Sequence, residues 1–479
     1  MGTPNSEPYG QVFTPSTISL PSFSAKDVSA LATSGVRYIR FTWVDLTNIV
    51  RCRVIPIGAF QALLAARRPG ISVATVALGL VGPTCAPGFT GTGEYLYVPD
   101  LSSLRKCGYA PGHANLLGYL EQKVPASGES LEVGLCPRTL LRRVVEDARA
   151  AGFEFLVGIE TEFILLRSVD PIEAVNDYPW STTAALPTGA KETLCMEEIA
   201  DALLASGIEL LMYHAEAAPG QFEFVTGPLP PLEAADAVVL TRETIYNIAA
   251  KHGLRATLAP RVYMDNCGSS AHAHISVHRS SVPATKTPKP SPNTNSSTTM
   301  APHERSFLQS LLDSITDIAA ITLPTQASYA RVADGIWSGG TYAAWGTENR
   351  ETLVRLTGPP GSHHFEIRSH DNTANPYLSL AAILGAGLQG IKQGVELTIG
   401  DCPGQAVDLS ENERAARNIT GQMPKSLKEA REKMRGNAAV KEVFGETFVE
   451  RYLSVNEAME KFMSTGTPES DAKKMVLTY

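Results

Sequence analysis

The stretch that decides the fold reads FEFLVGIETEFILL, residues 153–166. Apolar and β-branched residues dominate it and it holds no proline, so it reads as a β-strand. Glu160 and Glu162 sit in its middle. Side chains alternate faces along a strand, so the two carboxylates leave one face together, between Ile159 and Phe163. A solvated sheet edge would accept such a pair, but it leaves Phe163, Ile164, Leu165 and Leu166 hard to place. In a core strand, an isolated carboxylate is costly and normally takes up a proton. Several that stay ionised need cations between them.

Other segments repeat the pattern. YHAEAAPGQFEF (213–224) offers Glu216 and Glu223 on either side of a Pro-Gly turn. SSAHAHISV (269–277) offers His272 and His274, again two apart. HHFEIRSHD (363–371) offers Glu366 and Arg368 with the same spacing. Taken singly, such histidines read as structural and such arginines as surface charges. Together, five carboxylates and one or two imidazoles make an oxygen-rich set. It suits Mg²⁺ or Mn²⁺ better than structural Zn²⁺, and its size suggests two or more ions. Divalent ions with arginines are the usual equipment of phosphoryl transfer. Arg331, Arg350, Arg355 and Arg368 supply the arginines.

The chain has 479 residues, 43% of them apolar and 19% charged, enough for two or more domains and a large core. A net charge of -8 argues against a nucleic-acid or anionic-membrane partner. The seven cysteines show no C-x-x-C spacing and suit reduced thiols in a cytoplasmic protein. The first residues, MGTPNSEPYGQ, lack the basic and apolar regions of a signal peptide. They match a myristoylation pattern at Gly2, but no polybasic second signal follows. The longest apolar runs, such as LSLAAILGAGL, are too short to span a bilayer.

Residues 1–22, rich in Pro, Ser and Thr, read as a flexible arm. VRYIRFTWVDL (36–46) and VRCRVIPI (50–57) read as two strands joined by a Thr-Asn turn. A helix, AFQALLAARRPG, and a strand, EYLYVPDL, follow in a β-rich first unit, 23–132. The second unit, 133–479, opens with a helix over 136–152. Further helices are expected at 191–207, 231–253 and from Pro376, where proline suits a first helical position. Strands are expected at 208–214 and 269–278. Residues 279–302, nearly all Ser, Thr, Pro, Lys and Asn, read as a disordered insertion. The last 75 residues read as charged helices that pack or oligomerise.

The order of these motifs resembles the glutamine synthetase family over most of residues 35–465. The matching elements are GIETEF, HAEAAPGQFEF, GSSAHAHIS, SYARVADG, ENRETLVR and FEIRSHDNTANPYLSLAAIL. Six motifs in order make a specific match, nearest to the bacterial-type and fungal glutamine-synthetase-like branch. The resemblance implies an α+β fold: a small N-terminal β-grasp domain and a large catalytic domain on a curved antiparallel sheet. It implies stacked rings of ten or twelve subunits, with sites between neighbours. It assigns Glu162, Glu216 and Glu223 to one metal, and Glu160, His272 and Glu366 to a second. It places His274, Ser276 and Arg355 on ATP, and Gly268, Arg331 and Arg368 on glutamate. Arg350 would stabilise the transferring phosphate. The implied chemistry is phosphorylation of the glutamate γ-carboxylate by ATP, then displacement of phosphate by an amine.

Four positions depart from the family pattern. Where glutamine synthetases carry a Glu that helps bind ammonium, this chain has Trp337. The Asp-Gly-Ser-Ser stretch of the N-terminal domain is missing, and residues 67–88 hold no acidic residue. Cys267 stands for the usual Asn, and His364 for an Arg. A small cation needs a negative pocket, whereas a Trp wall favours apolar or cationic organic groups. The expectation is a ligase for an organic amine, with Trp337 lining its site. The rivals are glutamine synthetase proper and a catalytically idle ring protein.

Overall fold

The computed structural model describes residues 11–20, 25–177, 186–281 and 299–479. Gly2 and residues 1–10 of the expected arm fall outside that set, as do residues 282–298 of the expected insertion.

Residues 153–166 lie in an inner strand of the largest sheet. That strand, Phe153–Val169, runs for 17 residues inside a nine-stranded sheet. Strand Ala273–Arg279 pairs with its first half. Strands Gln221–Thr226 and Arg255–Thr257 pair with its second half. The sheet then runs outward through Leu210–Ala215 on one side. On the other side it continues through His364–Ile367, Val354–Thr357 and Trp345–Thr347. All pairings are antiparallel except that of the last two strands.

Two apolar clusters grip this strand at different points. Phe153, Phe155, Val157 and Ile159 enter the larger cluster from one face. Past Thr161 the faces exchange duties: Phe163 and Leu165 join the second cluster, while Ile164 and Leu166 join the first. Glu160 and Glu162 lie at the crossover. The strand is therefore central, and no wet edge exists for the pair.

The N-terminal unit holds a four-stranded sheet whose middle strands, Tyr38–Val44 and His113–Leu116, run parallel. Its hairpin partner is Val50–Pro56, close to the expected bounds. The following helix starts earlier and ends sooner than expected, at Ile57–Leu64. A separate three-stranded sheet contains Glu94–Pro99.

Helices Pro137–Ala150, Lys191–Ala205 and Pro231–Lys251 fall within the expected spans. Helix Pro376–Gln393 starts at its proline, with the Asn375 side chain accepting from the N–H groups of Tyr377 and Leu378. Its third and fourth turns press against helix Pro302–Ser314. A Cβ on Gly390 would stand 2.1 Å from the Ser306 carbonyl oxygen, so only glycine permits this approach. The C-terminal region is helical as expected, ending in Glu446–Met463 and Pro468–Thr478. Among the described residues, no helix is long and apolar enough to cross a membrane.

Candidate active site

Strand register assembles the site. His214 faces Glu223, and Glu223 faces Glu162, in one row across three strands. A second row places Gly158, His274, Glu366 and Arg355 opposite one another across four strands. Glu160 sits between the rows on the central strand. Residues directly opposite share a face, so the rows form one polar surface.

Glu160 is held by two imidazoles: His272 Nδ1 lies 2.8 Å from Oε2, and His274 Nε2 lies 2.9 Å from Oε1. His272 also approaches Glu366 at 3.4 Å. Burial would raise the Glu160 carboxyl, but His274 and His272 outweigh it and hold it well below the usual range. Glu366 behaves alike: burial is overcome by Arg368 and the two histidines. Arg355 Nε stands 2.5 Å from Glu366 Oε2. That oxygen is buried and already faces the Arg355 guanidinium.

The other row is less well neutralised. Glu162 accepts from Gln221 Nε2 at 3.0 Å, from the Ser270 N–H at 3.0 Å and from the Ser270 hydroxyl. Burial, then repulsion from Glu223 and Glu216, still lifts it to about 8. Burial lifts Glu223 to about 7 and raises Glu216 too. Such crowding is what a cation relieves. Three sets of donor atoms lie within 4.8 Å of one another: Glu160–Glu223–His272, Glu160–His274–Glu366 and His214–Glu216–Glu223. The carboxylate–imidazole chemistry fits Mg²⁺ or Mn²⁺.

These sets are not the two expected ones. Glu162 belongs to none of them, being tied to Ser270 and Gln221. His214 enters instead. It lies 3.2 Å from Glu223 and 3.7 Å from Glu216, and its hydrogen bond to Glu223 raises it to about 9. The signal was present: His214 and Glu216 are two apart, like Glu160 and Glu162. Strand Ala273–Arg279 starts later than expected because the Ser270 N–H turns to Glu162.

Arg368 pairs with Glu366 and also donates to the backbone carbonyl of Trp337. Trp337 has φ +56° and is 52% exposed. Its own N–H donates to Glu351 at 3.2 Å. The loop around it is clamped by Ser338 on Ala333 and by Asp334 on Thr341. Arg331 is only 1% exposed and donates to the carbonyls of Arg368 and His370. A Cβ on Gly268 would lie 2.4 Å from Arg331 Cγ, so this glycine leaves room for the arginine. Cys267 is half-buried beside it. Arg350 is exposed, near enough to Glu216 and Arg355 to act on both electrostatically.

His274 and Ser276 open onto a cavity of about 410 Å³, within the roughly 300–1,000 Å³ usual for small-molecule sites. Its walls include Leu156, Leu211, Val225 and His364. Residues 11–14 line it too, a contribution the sequence reading did not foresee. The His274 and His364 rings stand 5.1 Å apart, and burial, then His274, lowers His364 to about 4.

The fold is that of solved glutamine synthetase homologues. Residues 134–472 match the family model "Glutamine synthetase, catalytic domain", and the chain belongs to the glutamine synthetase family. Protein fluG of Emericella nidulans is 36% identical over 454 residues, covering 93% of this chain and 49% of the relative. The chain thus spans about half the length of that protein. The gamma-glutamylpolyamine synthetase GlnA3 of Streptomyces coelicolor is 28% identical, covering 89% of this chain and 90% of the relative. A solved structure described as a novel glutamine synthase homolog superposes with a TM-score of 0.74 at 23% identity, covering 93% of this chain and 99% of that one.

Proposed function

We propose that this chain joins the γ-carboxylate of glutamate to an organic amine, at the expense of ATP, through a γ-glutamyl phosphate. The observation that carries the reading is the attachment of Trp337. Its carbonyl is bound by Arg368, which also holds Glu366, so the main chain of this exposed residue is tied to the carboxylate cluster. An ammonium-binding carboxylate would be expected there. A relative whose name gives it polyamines as substrate supports the same direction.

In this reading Glu160, Glu162, Glu216, Glu223, His272 and Glu366 hold two or more divalent ions, with His214 beside them. Bound Mg²⁺ or Mn²⁺ would neutralise phosphate charge. His274, Ser276 and Arg355 face the nucleotide in the adjoining cavity. Gly268, Arg331 and Arg368 orient glutamate, whose γ-carboxylate oxygen attacks the terminal phosphorus as the bond to ADP breaks. Arg350 meets the charge on the moving phosphoryl group. The amine nitrogen then attacks the acyl carbon, loses a proton, and phosphate leaves. Splitting the reaction this way replaces a poor leaving group by a good one. Stacked rings of ten or twelve copies, located in the cytoplasm, complete the proposal.

The test is phosphate release with ATP, Mg²⁺ and glutamate across alkyl, aryl and polyamines, ammonium and hydroxylamine. Turnover with an organic amine and little with ammonium is expected. Efficient turnover of ammonium with no larger amine accepted would return the chain to glutamine synthesis. Silence across the panel with weak ATP binding would favour an idle ring.

A further inference from the structure

The cavity beside His274 is walled in two different ways. Part of its lining is sheet: Gly158, Val225, Ser276 and His364 come from four neighbouring strands. The turn at 358–363 adds to it and is bonded in place. The Ser362 N–H donates to the Pro359 carbonyl at 2.9 Å. His363 Nδ1 donates to the Gly358 carbonyl at 3.0 Å, and its Nε2 lies 2.7 Å from the Thr299 hydroxyl.

Residues 11–14 line the same cavity on other terms. Among the described residues, every hydrogen bond of 11–20 closes on the segment itself. The Thr17 N–H and hydroxyl donate to the Thr14 carbonyl at 2.9 Å, the Thr14 N–H donates to the Thr17 hydroxyl at 3.0 Å, and the Thr14 and Ser16 hydroxyls meet at 2.9 Å. The turn Pro15–Thr17 lies beside the central strand. Gln11, Val12 and Phe13 also line a neighbouring cavity of about 400 Å³, with Leu229 and Leu240. Packing alone holds the segment to these surfaces, so it can leave the cavity without breaking a hydrogen bond to the rest of the described chain.

What the segment offers the cavity is apolar. Phe13 is half-buried and Val12 is 41% exposed. Leu211, 38% exposed, Val225 and Pro228 line the cavity with them. Glu160 and His274, by contrast, connect it to the carboxylate cluster. A nucleotide with its phosphates toward that connection sets its base among the apolar side chains.

We infer that Phe13 stacks on the base of a nucleotide bound here and that residues 11–14 close over it. The inference rests on the reading of this cavity as the nucleotide site and adds the residue that grips the base. Stacking on an aromatic ring suits any base, since each has a π-face. Docking of the segment and binding of the base then favour each other by one factor.

The test is calorimetry on the full chain with Mg²⁺, using ADP and, as a probe without a base, inorganic tripolyphosphate. Phe13→Ala and Phe13→Leu should each weaken ADP about tenfold, with tripolyphosphate unchanged. Phe13→Trp keeps an aromatic face and should bind ADP as the parent does. In the parent, chymotryptic cleavage after Phe13 should slow about tenfold under saturating ADP but not under tripolyphosphate; this measurement decides the matter if a variant fails to fold. Equal ADP affinity in the parent and Phe13→Ala, or cleavage that bound ADP does not slow, would overturn the inference and leave the proposed function standing. Phe13→Leu binding ADP like the parent would overturn stacking in favour of plain packing. Equal loss of ADP and tripolyphosphate would also overturn it, since no base contact is then involved. A parent that binds neither probe would overturn the proposed function, and the inference with it.

Discussion

Arg368 donates a hydrogen bond to the backbone carbonyl of Trp337, across 31 positions of sequence. Because the contact uses the main chain, the side chain at 337 can change without releasing the arginine. Trp337→Glu should therefore leave Arg368 and Glu366 in place while setting a carboxylate at the rim. Ammonium-dependent phosphate release should rise about tenfold or more, from roughly 1.4 kcal/mol of added attraction for a small cation. Turnover of organic amines should fall in parallel. A variant that loses both would show that the indole only shapes the loop.

The crowded carboxylates predict a pH dependence. Glu162 is raised to about 8 and Glu223 to about 7, against an ordinary 4.5. Between those values the folded chain binds more protons than the unfolded one, so stability falls as pH rises through the window. His214, raised to about 9 from 6.5, acts with the same sign at higher pH. Glu160 and Glu366 are held low and act only in acid. After chelation, the melting temperature should drop between about pH 6.5 and pH 8, above the range in which the buried histidines His272, His303, His364 and His370, all lowered by burial, act with the opposite sign. Added Mg²⁺ should restore it, more at the upper end, with proton release seen by calorimetry in two buffers. A melting temperature that climbs through that upper window in chelator would contradict the assignment.

Ser270 fixes Glu162 through both its N–H and its hydroxyl. Ser270→Ala keeps the first contact and deletes the second. Groups that orient metal ligands typically cost about 10–100-fold when lost. The expected outcome is weaker Mn²⁺ binding with an unchanged nucleotide affinity in the absence of metal.

Gly268→Ala would push a methyl group to 2.4 Å from both Arg331 Cγ and the Pro260 carbonyl oxygen. Overpacking of this kind costs about 1–3 kcal/mol. Urea unfolding should show that loss, and the KM for glutamate should rise as Arg331 is displaced. Unchanged unfolding would mean that the loop gives way freely.

Much of the site was legible because strand periodicity is local. Glu160 and Glu162, then His272 and His274, lie two apart, and that spacing alone puts each pair on one face. Register is not local. That His214 stands opposite Glu223, and that Glu162 is taken up by Ser270, depend on which strands meet and where. The sequence shows no such choice, so which of these side chains meet across strands had to come from the structure. The role of residues 11–14 was hidden for a related reason. A Pro- and Ser-rich segment reads as loose, and only the fold shows that it walls two cavities. The longer helices of the second unit were legible from their apolar spacing and from Pro376 at a first helical position, whereas Pro302–Ser314 was not anticipated.

The crossover at Thr161 has a further consequence. Both ends of the central strand are anchored in apolar clusters, and only its middle is charged. Evolution could relax that middle at small structural risk: Glu162→Gln or Glu223→Gln would remove repulsion without opening a void. Such variants should melt higher in chelator than the parent while losing metal-dependent turnover, the usual opposition between robustness and chemistry. A lineage under selection for persistence alone would drift that way within a few substitutions. The carboxylates at 160, 162, 216, 223 and 366 thus cost the bare fold stability that a bound cation would return.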